Sequence, residues 1–264
     1  MSFKPLNFDR LAKFNSSVSS EFLSRYNNYV DEVIVDNSSK MPNRTFAPSA
    51  FRCDRRSWFR LRGVKPDIVK IPDRVVEFSA NIGTACHRMI QTYLKDMLCY
   101  DWIDVSDYLR GEYGSTLDYD YRCEKDESGL ETLVEILDPP VRFACDGIIR
   151  LNSQFYLLEI KSSEYSSWDQ LTDPKPHHID QVKCYCTLLN LDKVMFMYID
   201  RQYGDIKCFE LNVDDRDKYD ITNRFKYVQE MVDANLAPSG LPIGDSWCTP
   251  SMCPYYRKCQ EYGR

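Results

Sequence analysis

Residues 141–161 read VRFACDGIIRLNSQFYLLEIK, and the fold turns on how this stretch is paired. Residues 145–151 and 154–161 are rich in apolar and β-favouring side chains, and Asn152-Ser153 between them suits a two-residue turn. Such a turn sets Leu151 against Gln154, and counting outward brings Asp146 opposite Glu159. Directly opposed Cβ atoms lie about 4.5–5.5 Å apart. Side chains alternate along a strand, so Glu159 and Lys161 share a face with Phe155 and Leu157, while Leu158 and Ile160 point the other way. Two carboxylates so placed repel unless a cation lies between them, and oxygen donors suit Mg²⁺ or Mn²⁺. Such an ion polarises a phosphate oxygen and acidifies a bound water, and Lys161 can orient that water or neutralise developing charge. The same three residues also read as an ordinary cross-strand charge set on a solvated hairpin face.

Other segments supply further candidates. Residues 79–99 place Ile82, Ala85, Cys86, Met89, Ile90, Tyr93, Leu94 and Met97 at helical spacing, with Ser79 or Asn81 as N-cap. His87 lies on the flank of that stripe, either as a surface residue or as a nitrogen ligand completing a mixed coordination sphere. A second helix is expected over residues 176–189, where Ile179, Val182, Tyr185, Cys186 and Leu189 recur. Gln181 and Tyr185 are one turn apart on one face. They read either as a core tyrosine with a neighbouring amide or as groups that hold a nucleotide and support the lysine.

Taken in order, Gly83-x3-His87, Asp146, Glu159-Ile160-Lys161 and Gln181-x3-Tyr185 resemble the motifs of the PD-(D/E)XK nuclease superfamily, in its RecB-like branch. With Cys53 and Cys248-x4-Cys253-x5-Cys259 added, the chain is similar to the iron–sulfur members of that branch, such as the CRISPR-associated exonucleases and the AddB nuclease domain. The resemblance spans roughly residues 49–259. It implies His87, Asp146 and Glu159 as metal ligands, joined by the Ile160 carbonyl, with Lys161 as the catalytic lysine. Gln181 and Tyr185 match the motif that supports DNA engagement and catalysis. Two positions depart from the pattern: Cys145 stands where proline often precedes the aspartate, and Phe143 where a glycine is common.

The chain carries eleven cysteines, an odd number, and no apolar secretory stretch follows Met1-Ser-Phe-Lys-Pro. No apolar run approaches membrane length, so a cytoplasmic protein without membrane association is expected. In a reducing compartment clustered thiols point to metal rather than disulfides. Zinc ribbons bring two close pairs of ligands, whereas one distant cysteine plus three agrees better with the [4Fe-4S] cluster that the resemblance implies; zinc, or cysteines that bind no metal, are the other options. Such a centre would tie the segment around Cys53 to the C-terminal tail, a cysteine-rich clasp closing a very long loop. The other seven cysteines read mainly as small core residues.

The net charge is −6 with a pI near 5.2, which argues against broad attraction to polyanions. Locally, however, Arg52, Arg55, Arg56 and Arg60 recur near helical spacing around Cys53, with Arg62, Lys65, Trp58 and Phe59 close by. That pattern is either a solvated helix face with buried aromatic anchors or a DNA-binding stripe.

Residues 1–45 read as an N-terminal helical arm, with helix over 8–29 and a polar linker over 36–44, and residues 46–264 as the nuclease domain. Strands are expected at 117–123, 131–137, 141–151, 154–161, 194–200 and 206–212, and a final helix at 214–234. The class is α/β, a mixed central sheet flanked by helices, and the resemblance implies a restriction-endonuclease-like core. The resemblance further implies a Mg²⁺- or Mn²⁺-dependent exonuclease acting on single-stranded DNA or DNA ends in recombination, repair or CRISPR adaptation, alongside a recombination or repair partner. The competing expectation is a noncatalytic DNA-binding iron–sulfur module working with a helicase or integrase.

Overall fold

The computed structural model describes residues 17–39, 43–67, 74–114, 117, 119–242, 244–250 and 252–262. The chain divides into two compact units. The first holds helix α1 (Ser17–Ser39) and residues 74–78, where Arg74 donates to both Asp31 carboxylate oxygens at 2.8 and 2.7 Å. The second carries α2 (Asp54–Leu61), most of α3 (Arg74–Leu98), β1 (Trp102–Ile103), α4 (Val105–Leu109), β2 (Tyr121–Lys125), β3 (Thr132–Ile136), β4 (Val141–Cys145) and β5 (Gly147–Leu151). It continues with β6 (Gln154–Ser163), α5 (Tyr165–Asp169), α6 (Pro176–Leu189), β7 (Lys193–Asp200), β8 (Ile206–Asn212), α7 (Asp215–Asp233) and α8 (Tyr256–Glu261).

A five-stranded sheet runs in the order β1-β5-β6-β7-β8 and a three-stranded antiparallel sheet in the order β2-β3-β4. In the larger sheet β6 and β7 are parallel, connected through α5 and α6, and all other neighbours are antiparallel. The sheet is therefore mixed. It is covered on both faces, because β6 is buried along Tyr156–Ile160 and its side chains alternate between two cores. Leu157 joins Val182, Leu189, Phe196 and Phe225 on the α6 and α7 side, whereas Leu158 and Ile160 join Ile90 of α3 on the other. This is the expected α/β architecture with helices on both sides of a central sheet.

Several boundaries differ from those read in the sequence. Residues 141–151 are not one strand: they break at Asp146 into β4 and β5, which belong to different sheets. Helix α1 runs on to Ser39, into the first four residues of the stretch expected as a linker, and residues 8–16 of the expected helix lie outside the described residues. Helix α3 already runs from Arg74, so Ser79 and Asn81 are interior residues rather than N-caps. Strand β2 sits at 121–125 instead of 117–123. The last long helix matches closely: the Asp214 side chain accepts from Asp217 N at 2.8 Å as its N-cap, and Ala234 follows as C-cap.

Candidate metal centre

The turn at Asn152-Ser153 has φ of 49° and 63°, the paired left-handed conformation of a two-residue hairpin loop. The register follows from it, from Leu151 opposite Gln154 to Gly147 opposite Leu158. In an antiparallel ladder every second opposed pair exchanges both backbone hydrogen bonds, so the next such pair would be Cys145 with Ile160. Cys145 has instead left for the smaller sheet, where it lies opposite Thr132. The Asp146 side chain takes its place, and Oδ2 accepts the Ile160 N–H at 2.7 Å. The N–H and C=O of a strand residue point the same way, so the Ile160 carbonyl is directed to the Asp146 side too.

Asp146 thus stands one step past the end of two ladders. Outward from Gly147 and Leu158 it meets the level of Glu159; outward from Cys145 and Thr132 it meets the level of Glu131. Gln91, fully buried in α3, holds the turn by donating to the Asp146 carbonyl at 2.8 Å. One turn earlier on α3, His87 Nδ1 lies 3.7 Å from Asp146 Oδ1.

The remaining candidates form a chain along one wall. Lys161 Nζ lies 2.5 Å from Glu159 Oε1 and donates to Gln181 Oε1 at 3.3 Å, and Gln181 Nε2 donates to the Tyr185 hydroxyl at 2.6 Å. Phe143, at the position where the resemblance leads one to expect glycine, stacks on Tyr185 with ring centroids 4.7 Å apart. His87, Glu131, Asp146, Glu159, Lys161, Gln181 and Tyr185 all line one cleft of about 530 Å³.

The electrostatics are those of a site short of positive charge. Burial pushes the Glu159 carboxyl up to about 7; Lys161 opposes the rise and Asp146 adds to it. Burial and then Asp146 also raise Glu131. For His87 burial alone would pull the imidazole down, but the neighbouring Asp146 outweighs it and the net shift is upward. Among the described residues, ligand atoms of His87, Glu131 and Asp146 come within 4.8 Å of one another. Carboxylate oxygens with one imidazole nitrogen are a donor set suited to a hard or borderline divalent ion, so these residues fit a bound metal. Glu131 and Gln91 escaped the sequence reading. Both had a signal: Glu131 is reached by counting outward from the β3–β4 turn, and Gln91 follows His87 at the i, i+4 spacing of one helix face.

The four cysteines singled out in the sequence also converge. Cys53, just before α2, and Cys248, Cys253 and Cys259 line a second, tight cavity of about 20 Å³ with Arg52, Arg55 and Arg56. Burial pushes the Cys253 thiol up, and Cys53 and Cys248 add to this. Among the described residues no three of these sulfurs lie within 4.8 Å of one another. The donor set at this cavity is all sulfur and is shared by both chain ends.

The arginines divide. Arg55 is 5 % exposed and turned inward, so it is no part of a solvated stripe. Its Nε donates to Pro238 O at 2.7 Å, and its Nη1 lies 3.4 Å from Cys259 O and 3.5 Å from Cys259 Sγ. Arg52 pairs with Asp245 at 3.2 Å. Arg60 donates to Thr45 O at 2.8 Å and lines the metal-site cleft, while Arg56 is half-buried at the cysteine cavity. Trp58 and Phe59 are buried anchors.

No protein-family model matches the chain, and no curated protein matches it in sequence. Among solved structures the chain is similar to that of SSO0001, at 16 % identity and a TM-score of 0.43 over 86 % of this chain and 93 % of that one. It is also similar to an alkaline exonuclease, LHK-Exo from Laribacter hongkongensis, at 13 % identity and a TM-score of 0.42 over 77 % of this chain and 93 % of that one. For LHK-Exo in complex with dAMP the identity is 14 % and the TM-score 0.41, over 79 % of this chain and 93 % of that one. No helix among the described residues is long and apolar enough to cross a membrane.

Proposed function

We propose that the protein is a Mg²⁺- or Mn²⁺-dependent DNA nuclease, with an exonuclease preference for single strands or ends, serving recombination, repair or CRISPR adaptation in the cytoplasm. One observation supports this above the rest: Asp146 ends two β-ladders at once, and the cleft it faces also receives Glu159, Lys161 and His87. A routine cross-strand charge set does not account for that, because Glu159 is 3 % exposed and Asp146 8 %.

His87, Asp146, Glu159 and the Ile160 carbonyl would hold the divalent ion, with Glu131 as an additional oxygen donor. When bound, the ion supplies Lewis-acid polarisation of a phosphodiester and an acidified water. Asp146 is fixed by the Ile160 N–H, so its outer oxygen is presented to the cleft without rotamer search. Lys161 stays charged, since the Glu159 carboxylate outweighs the effect of its burial, and can stabilise charge developing on the phosphoryl oxygens. Gln181 steers the ammonium and is itself held by Tyr185. Arg60, which lines the cleft, and Arg56 and Arg52, which line the cysteine cavity, would meet backbone phosphates. The four cysteines would hold a [4Fe-4S] cluster. Zinc held by the same four thiolates is the other assignment.

The test uses purified protein and a Lys161→Ala variant on end-labelled linear and on circular DNA, with Mn²⁺ or EDTA. Metal-dependent loss of the linear substrate by the wild type alone is expected. Equal activity in the variant, or digestion in EDTA, defeats the mechanism; DNA binding without any cleavage would indicate a noncatalytic module.

A further inference from the structure

We infer that Arg55 serves the cysteine centre rather than the nucleic acid: its buried guanidinium is the counter-charge and hydrogen-bond donor to the Cys259 thiolate. The inference rests on the proposal that the four cysteines hold a metal centre.

Arg55 lies two residues after Cys53, so the first turn of α2 delivers a thiol and a guanidinium together to one cavity. Three contacts among those of Arg55 orient its guanidinium. Nε is anchored on the Pro238 carbonyl at 2.7 Å, and Nη1 reaches both the carbonyl and the sulfur of Cys259 at 3.4 and 3.5 Å. Gly240 packs against the same pair, since a Cβ there would lie 3.6 Å from Cys259 Sγ and 3.8 Å from Arg55 Cδ. Beside a neutral thiol a guanidinium makes only a weak hydrogen bond to sulfur. Beside a metal-bound thiolate it gains a charge-assisted hydrogen bond. Four thiolates around zinc or around a four-iron core leave an excess of negative charge in a poorly solvated cavity, and a cation fixed against one sulfur offsets part of it. The neighbouring arginines have other duties: Arg52 pairs with Asp245, and Arg224, close by on α7, pairs with Asp54 at 2.6 Å.

Hydrogen bonds to cluster sulfurs and local net charge set both retention and reduction potential. Arg55 should therefore govern how firmly Cys259 stays ligated. The experiment compares wild type, Arg55→Gln and Arg55→Lys, purified anaerobically as full chains. Iron, sulfide and zinc content, the rate of metal release to a chelator, and for an iron–sulfur centre the midpoint potential are measured. Release at least about tenfold faster in Arg55→Gln, with a more negative potential, is expected, and Arg55→Lys should recover part of the loss because it keeps the charge. Should the glutamine variant not fold, the lysine variant decides alone: a measurable change in release rate supports the inference and an unchanged one overturns it. A metal-free wild type removes the centre itself, whereas a loaded wild type with unmoved variants removes only the role of Arg55.

Discussion

Lys161 turns back along its own strand to Glu159, Nζ 2.5 Å from Oε1, so among the described residues the cation in direct contact with this buried carboxylate comes from two residues away on the same face. Gln181 accepts from the same ammonium, and a bound divalent ion would share Glu159 with Lys161. Removing the ammonium should therefore separate catalysis from metal binding. Lys161→Ala is expected to lose about 10²-fold or more in cleavage rate while still binding Mn²⁺, as read by single-turnover assays beside a Mn²⁺ titration followed by electron paramagnetic resonance.

Glu159 also predicts a pH dependence. Its folded-state pKa, raised by burial to about 7, lies above the ordinary carboxylate value of 4.5. Its neutral form thus favours the folded state below about 4.5, and that contribution fades as the pH rises through 7, by up to about 3 kcal/mol. Melting temperatures of metal-free protein between pH 4.5 and 8 should fall in that direction. Mn²⁺ should reverse the fall at the upper end, and Glu159→Gln should flatten it.

Glu131 should matter for the ion and little for the fold. Glu131→Gln keeps size and polarity but removes a charge that burial and Asp146 already penalise. Mn²⁺ affinity is expected to weaken about tenfold by calorimetric titration, with an unchanged or slightly higher melting temperature. Equal affinity would place the ion entirely on the Glu159 side of Asp146.

The glycine after the aspartate is held by packing. A Cβ at Gly147 would sit 2.9 Å from Trp102 Cη2 of β1, closer than carbon atoms approach, and an indole has no flexible end to withdraw. Gly147→Ala should cost about 1–3 kcal/mol of stability by chemical denaturation and displace β1 from the sheet edge.

Much of this site was legible in the sequence because its geometry is local. The Asn152-Ser153 turn fixes the β5–β6 register, and the register brings Glu159 to the level of Asp146. The alternation of Leu157 and Leu158 between two cores follows from the same counting. What the letters concealed was a change of sheet. A run from Val141 to Leu151 keeps strand-like composition throughout, and nothing in composition marks Asp146 as the point of departure; only the pairing of Cys145 with Thr132 does. Glu131 was missed for that reason, although counting outward from the β3–β4 turn reaches it. Arg55 was misread because helical spacing says which residues share a face, not which face is buried. Its contacts at Pro238 and Cys259 lie about two hundred residues further along the chain.

The double termination at Asp146 places a demand on two exposed loops that carry no chemistry. Strand side chains alternate, so lengthening or shortening either connection by one residue rotates the facing acid away from the cleft. Asn152-Ser153 sets the position of Glu159, and the bend at residues 137–140 sets that of Glu131. Surface loops normally tolerate insertions; these two act as spacers of set length, and a single added residue in either would silence one acid while leaving every functional side chain in the sequence.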